Sequence, residues 1–450
     1  MHTLCFEQHQ EPKLALCSRE SEETVDNHLC AFRVCPIPLD QTQGKTKCFD
    51  EDHKILTNVF LHSMIKVLEI MPLASSAINF IGDQLSYLRE KGNYDMHLIC
   101  SSGKDIDQFA EREKAHYYTI EIPRSIKPIK DISNIWKIYR YIRKNQINVV
   151  IGHQSKGVLY GMIAGWMAHA RYRIVLAHGI LEDTMHGLKQ KIFVAENRMM
   201  SSLATHVICV SPSVKKRRVE LGIDTPEKQH ILGRGTCNGV NALTKFNPML
   251  VDRSVTQDIR HKFGLLDSDF VVGFCGRLVK DKGIVELTNA IQILHERYPD
   301  KSVKLFVIGQ PEQRNAIPQE ILQFLKTSDQ VVFTGRVSYS DIQNYYSVMD
   351  VFVLPSYREG FPTVVLEASA MELPVIVSRS TGCIDSIIEN ETGIYCDIEP
   401  TSIADAIESL FDISMAKKLG ANARRNVLEN FEHTIVKEQM LHFLNSVSEN

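Results

Sequence analysis

Asp350 to Ser378 read DVFVLPSYREGFPTVVLEASAMELPVIVS. The apolar run VFVL stops at Pro355, which has no N–H to give a sheet ladder. A second run of the same kind, PVIVS, opens at Pro374. The stretch between them, TVVLEASAME, predicts a helix. Strand, loop, helix and strand in this order predict a parallel sheet covered by helices. The loop YREGFP is the part that carries chemistry. Pro362 suits a first helical turn, where its missing N–H is harmless, and Gly360 lets backbone approach a ligand closely. The helix start offers free N–H groups and the positive end of a dipole to an anion such as phosphate. Glu359, in the loop, is placed to reach a neutral polyol. Glu367, within the helix, is placed to accept from a pair of hydroxyls.

Carboxylates beside a phosphate need cations between. Far upstream, GRLVKDKG (Gly276 to Gly283) follows another apolar run, FVVGFC. Arg277 offers a rigid fork of donors and Lys282 a mobile point charge. Cations aimed at a departing diphosphate stabilise the transition state more than the ground state, and no metal ion is then required. A DxD string, Asp105-Ile106-Asp107, falls in the first half of the chain, away from these strands, and reads as a solvated loop.

The pair E-x7-E with G-R-L-x-x-x-K-G resembles the retaining glycosyltransferases of family 4 (glycosyl transferases group 1), over about residues 65 to 445. The resemblance implies an α/β protein of the GT-B fold, two Rossmann-like doubly wound domains facing across a cleft. It implies a nucleotide-sugar donor, most simply UDP-linked, and retention at the anomeric carbon. Glu359 would then contact the donor sugar and Glu367 the ribose. Gly276, Gly360, Phe361, Pro362 and Thr363 would face sugar and phosphate, with Pro362 unable to donate. Gly335, Arg336 and Val337 in TGRV stand where the family packs the base, and Gly309 in FVIGQP ends a strand near phosphate or base. His178 in LAHG stands where relatives have a His near the transferred sugar. His153 in IGHQSKG is expected nearer the acceptor. The family's Gly-rich loop after the first strand is here PLASSAINF, so Ser75 and Ser76 are the acceptor-side candidates in its place.

Strand-like and helix-like segments alternate from Met64 to Asn241 and restart after a polar, aperiodic stretch. The expected organisation is an N-terminal extension at 1–63, a first domain at 64–241, a linker at 242–262, a second domain at 263–430, and a C-terminal helix at 431–450 that the resemblance sends back to the first domain. Met64 leads into the first regular strand, so it is a candidate natural start, and the residues before it read either as a misassigned reading frame or as an accessory tail. The cysteines Cys5, Cys17, Cys30, Cys35 and Cys48 upstream of it include no CxxC, and with nearby histidines they leave a zinc site open as an alternative.

The chain has 450 residues, 44% hydrophobic and 23% charged, with a net charge of −3. That balance excludes a broad nucleic-acid footprint. The longest apolar helical run, VLYGMIAGWMAHA (Val158 to Ala170), is shorter than the roughly 20 residues of a membrane span. The N-terminus has no signal pattern, so the expectation is a cytoplasmic protein, peripheral at most to the inner membrane face. Lys215, Lys216, Arg217 and Arg218 form a KKRR run that reads equally as a solvated face or as a contact for anionic lipid. The segments IGHQSKG, AHG, HVICVSPS and GRGTCNGVN most resemble bacterial enzymes of capsule and O-antigen synthesis, which act on lipid-linked sugars. Two other readings stay open: a nucleotide-sugar epimerase of the same architecture, and a sugar-nucleotide-binding scaffold without turnover. An NAD dehydrogenase would want GxGxxG after the first strand, and MPLASSA does not supply it.

Overall fold

The structure is a computed structural model that describes residues 64–448. The expectations for 1–63, including the zinc alternative, lie outside the described residues. The first sheet contains β1 (Lys66–Ile70), β2 (Asp95–Cys100), β3 (His116–Thr119), β4 (Val149–His153), β5 (Tyr172–Ala177), β6 (His206–Cys209) and β7 (Gln229–His230). Their order is β3-β2-β1-β4-β5-β6-β7, and every pairing is parallel. The second contains β8 (Phe270–Cys275), β9 (Val303–Ile308), β10 (Val331–Gly335), β11 (Val351–Leu354), β12 (Val375–Ser378) and β13 (Ile394–Cys396), in the order β10-β9-β8-β11-β12-β13 and again all parallel.

Parallel strands are covered on both faces, so they are apolar throughout rather than alternating. Every residue of β11 and β12 is buried. In each sheet the strand order reverses beside the first strand, between β1 and β4 and between β8 and β11. Beyond the carboxyl ends at such switch points lies the crevice where open α/β sheets bind ligands.

Two differences from the sequence reading have local causes. The helix after β11 runs Thr363–Ala370, so Pro362 stands just before it, in extended conformation, instead of inside its first turn. The polar stretch expected as linker contains a helix, Arg253–Lys262. Asp252 caps it by accepting from Ser254 N at 2.8 Å. Ile259 is its one buried residue, so its apolar stripe was too thin to read as a period. Thr256 and Arg260 tie it to Ser347 and to the Val348 carbonyl, at 2.7 and 3.2 Å.

The last helix, His433–Ser448, packs on the first sheet's layer. Met440 and Leu444 join the core of Val67, Leu98 and Ile151. Lys437 Nζ bonds Asp83 Oδ2 at 2.8 Å, and Tyr94 OH donates to Asn445 Oδ1 at 2.7 Å.

Candidate active site

Glu359 is held by three groups. Lys282 Nζ donates to its Oε1, Ser356 Oγ donates to the same oxygen at 2.8 Å, and its own N–H bonds the Thr381 carbonyl at 2.9 Å. Lys282 arrives through a single 3-10 turn, Lys280–Lys282, closed by Gly283 at φ 67°. A side chain at Gly283 would be strained there and would also collide with the Pro355 carbonyl. The second glycine of the upstream motif is therefore what lets the β8 loop lie against the β11 loop and brings the ammonium to the carboxylate.

Gly360 is a point of close approach between the two domains. A Cβ there would overlap the carbonyl oxygen of His178. The sequence argued for a close approach to a ligand at this glycine; in the structure the backbone it lies against is the loop after β5. Phe361 follows with its ring in the seam, against Gly235 of the first domain and 5.3 Å from the Phe431 ring. Arg358 spans the same seam, donating to Thr184 Oγ1 at 2.9 Å and pairing with Asp281 at 2.7 Å. Ser213 and Asp385 close a further point. The Ser213 N–H donates to Asp385 Oδ2 at 2.9 Å, and the Gly382 N–H donates to Ser213 Oγ at 2.8 Å.

Glu367 is buried, and Tyr346 OH donates to its Oε2 at 2.8 Å. Burial pushes its pKa up to about 7, against the Tyr346 hydrogen bond and the charge of Lys245. Burial brings Lys245 itself down to about 8, against the pull of Glu367 and Asp341.

Two cavities meet at Arg277. One, of about 490 Å³, is lined by Gly276, Arg277, Gly309, Arg336, Val337 and Glu367, with Asn79 reaching in from the first domain. The other, of about 410 Å³, is lined by Arg277, Lys282, Glu359 and Gly360 on one wall and by His178, Glu182 and Asn197 on the other. Arg277 pairs with Glu312 at 3.1 Å while remaining largely exposed, so its guanidinium is free to turn to a ligand. Gly335 supports the first cavity from behind, its carbonyl accepting from Gly309 N at 2.9 Å.

Beneath His178 is a feature the sequence reading missed. Glu69 is fully buried in β1, one residue before its carboxyl end. Its Oε2 accepts from His153 Nε2, and His153 Nδ1 is 3.0 Å from His178 Nε2. Among the described residues, Glu69 Oε1 has no hydrogen-bond partner. Burial and the neighbouring His153 lower His178 to about 3, so its imidazole is neutral at ordinary pH. The signal was present: KVLEI is an apolar core strand with one carboxylate in it, and a buried carboxylate needs a partner.

His153 is thus behind His178 and is absent from the cavity wall, where Gln154 and Ser155 stand instead. Ser76 lies behind Gln154, whose Nε2 donates to it at 3.2 Å. Ser75 is exposed on the same helix and lines neither cavity. The KKRR run is largely committed to protein partners. Arg217 pairs with Asp183 at 2.6 Å, Arg218 is buried against Asp224, and Lys215 bonds the Gln229 carbonyl at 3.2 Å. Asp105 and Asp107 start the helix Ile106–Glu113 and are exposed. Among the described residues, the side chains grouped as metal ligands would be are Asp95, His97 and His116, which begin or lie early in β2 and β3, at the sheet end away from the cleft.

The family description Glycosyl transferases group 1 matches residues 255–426, and Glycosyltransferase Family 4 matches residues 79–236. The capsular polysaccharide biosynthesis glycosyltransferase CapM of Staphylococcus aureus is 33% identical over 368 residues, covering 81% of this chain and 93% of its own. An Escherichia coli UDP-Gal:alpha-D-GlcNAc-diphosphoundecaprenol alpha-1,3-galactosyltransferase is 25% identical over 376 residues, covering 82% and 94%. A glycosyltransferase from Rickettsia africae superposes with a TM-score of 0.70 at 20% identity, over 86% of this chain and 100% of its own. Anabaena HepE, solved with UDP-glucose, gives 0.68 at 17% identity, over 85% and 100%. At these identities the two structures speak to the fold, which is GT-B.

Proposed function

The chain belongs to the glycosyl transferases group 1 and is a glycosyltransferase; from that premise we propose that it moves a hexosyl or N-acetylhexosaminyl unit from a UDP-sugar to a lipid-linked or glycan acceptor in surface-polysaccharide synthesis, with retention at the anomeric carbon. The observation that carries the reading is the Lys282–Glu359 pair beside Arg277, at the junction of two cavities. One cavity has the chemistry for a nucleotide, the other for a sugar and its acceptor. The names of CapM and of the Escherichia coli relative support a polysaccharide role and a diphospholipid-linked acceptor.

In this reading the base lies over the backbone at Arg336 and Val337, and Glu367 accepts from the ribose hydroxyls. The diphosphate displaces two internal ion pairs. Arg277 leaves Glu312 and Lys282 shares its protons between Glu359 and phosphate. The acceptor oxygen attacks the anomeric carbon from the face that the leaving group departs. The bond from that carbon to the β-phosphate oxygen breaks, its electron pair stays with UDP, and a phosphate oxygen takes the acceptor's proton. Arg277 and Lys282 stabilise the charge that grows on the diphosphate. Glu359, freed from part of its bond to Lys282, holds sugar hydroxyls, and domain closure at Gly360 and His178 excludes water. The chemistry needs no metal ion.

Calorimetric titration with UDP, GDP and ADP tests the donor half. Binding of UDP at least tenfold tighter than the other two is expected. Equal affinities, or preference for a purine nucleotide, would contradict the UDP assignment.

A further inference from the structure

The helix Pro128–Asn145 carries apolar side chains on the face turned away from the protein. Its inner face is Asp131, Asn134, Ile138 and Ile142, packed over Leu68, Ile70 and Val150 of the first sheet. Half a turn away stand Ile129, Ile132 and Trp136, at i, i+3 and i+7, and these share one stripe of a helix. They are 88, 68 and 52% exposed, and Ile126, in the loop just before, is 83% exposed. Isolated exposed apolar residues need no explanation, but a contiguous stripe of this kind marks a contact surface.

The charge on the same helix is one-sided. Lys130, Lys137, Arg140, Arg143 and Lys144 are all exposed. The helix's one carboxylate, Asp131, is turned inward, where Lys156 Nζ bonds it at 2.7 Å and Tyr160 OH donates to it. One acidic group at this rim, Glu121, lies near Lys130 and is occupied by the Ser102 N–H and hydroxyl, and Asp105 and Asp107 stand exposed in the segment after β2. Lys137, Arg140, Arg143 and Lys144 form no ion pair within 4.0 Å among the described residues. Apolar wedge residues flanked by unpaired cations are the composition of a helix that lies in a membrane interface.

Position gives the surface a use. The helix begins after β3, so its first turn, with Ile129 and Ile132, stands at the carboxyl edge of the sheet, where the cleft opens. The helix Gly187–Leu203 begins after β5 at the same edge. Its exposed Leu188 and Ile192 alternate with Lys189 and Lys191, while Phe193 and Asn197 on its other side line the sugar cavity.

We propose that Ile126, Ile129, Ile132 and Trp136, with the cations beside them, seat this enzyme on the surface of an anionic bilayer. The cleft mouth then faces the headgroup layer. This deepens the reading above, since it is the arrangement in which a lipid-linked acceptor reaches His178 and Glu359 without leaving the membrane, and it assigns the contact to a surface other than KKRR.

Flotation of the full chain with phosphatidylcholine vesicles, with and without phosphatidylglycerol, tests it. Binding to the anionic vesicles, reduced at least tenfold by Lys137→Glu with Arg140→Glu, by Ile129→Ser with Ile132→Ser, and by raised salt, is the expected result. The chain has two tryptophans, so Trp166→Phe leaves Trp136 as sole reporter, and its emission should shift to the blue on anionic vesicles alone. Unchanged UDP affinity in the surface variants separates this claim from the catalytic one and shows that they are folded. No vesicle binding, or binding that both paired variants retain, would overturn it. A concentration-dependent dimer abolished by the isoleucine pair would also overturn it, since a second copy would then be what covers the face.

Discussion

Glu69 and His153, on neighbouring strands β1 and β4, form a hydrogen-bonded pair in the floor of the cleft, and His153 passes the connection on to His178. A carboxylate partner makes His153 Nε2 a donor. His153 Nδ1 then pairs with His178 Nε2, and His178 Nδ1 faces the Cys237 thiol, with Sγ 3.8 Å away. The cleft histidine is thereby held at both ring nitrogens, between His153 and Cys237, so the chain from Glu69 fixes its tautomer and orientation. Glu69→Gln keeps the shape and lets the tautomers reverse. We expect kcat to fall by ~10–100-fold with UDP affinity unchanged. His178→Ala should cost at least as much, and the double variant little more than His178→Ala alone. Additive losses would show that Glu69 acts through packing instead.

The Lys282–Glu359 pair predicts opposite effects on two measurements. Lys282→Ala should weaken UDP binding by ~10-fold and lower turnover by ~100–1,000-fold, because its charge matters most as the diphosphate departs. Glu359→Ala frees Lys282 for phosphate, so UDP should bind as well as before or better while transfer is lost. Weakened UDP binding in Glu359→Ala would mean that the carboxylate positions the lysine for the nucleotide.

Glu367 predicts a pH dependence whose sign is fixed. Its carboxyl sits at about 7 in the empty site, and ribose hydroxyls donate to the ionised form. Binding must therefore lower that pKa and release a proton. UDP affinity should rise with pH below about 7, by up to ~10-fold per unit, and level off above it. Titration in buffers of different ionisation enthalpy should show net proton release near pH 6.5. Glu367→Gln should flatten the profile. Proton uptake on binding would contradict the role given to this residue.

Ser213 and Asp385 act as a latch between the domains. Asp385→Ala should leave thermal stability within about 1 kcal/mol, since the latch lies outside both cores, but shift the ensemble toward open forms. A larger radius of gyration and a severalfold higher ratio of donor hydrolysis to transfer are expected. An unchanged ratio would mean that Gly360, His178 and Arg358 hold the closed form unaided.

Much of this was legible in the chain. The strand and helix alternation, and the loops at the carboxyl ends of β8 and β11, followed from apolar runs broken by Pro and Gly. Glu359, Lys282 and Arg277 do converge, because Gly283 and Pro355 force two loops together. What the sequence hid were contacts made across long separations by residues with no local signature. Lys245 and Tyr346 flank Glu367 from elements far apart in sequence, and the Ser213–Asp385 latch spans both domains. The place of His153 behind His178 was hidden for the same reason. A histidine at a strand end has two ring nitrogens, and only the fold shows that Glu69 takes one of them and His178 the other. The KKRR run was read as free charge because its partners, Asp183 and Asp224, lie outside the run.

The most direct test is product formation. Purified protein would be supplied with UDP-, GDP- and ADP-sugars and a bacterial membrane lipid extract, beside Glu359→Ala and Lys282→Ala. The account predicts UDP release from one UDP-sugar, dependent on the extract, matched by a glycosylated lipid, and lost in both variants. Tight UDP binding with no release from any donor in the presence of the extract, or release that both variants retain, would contradict it.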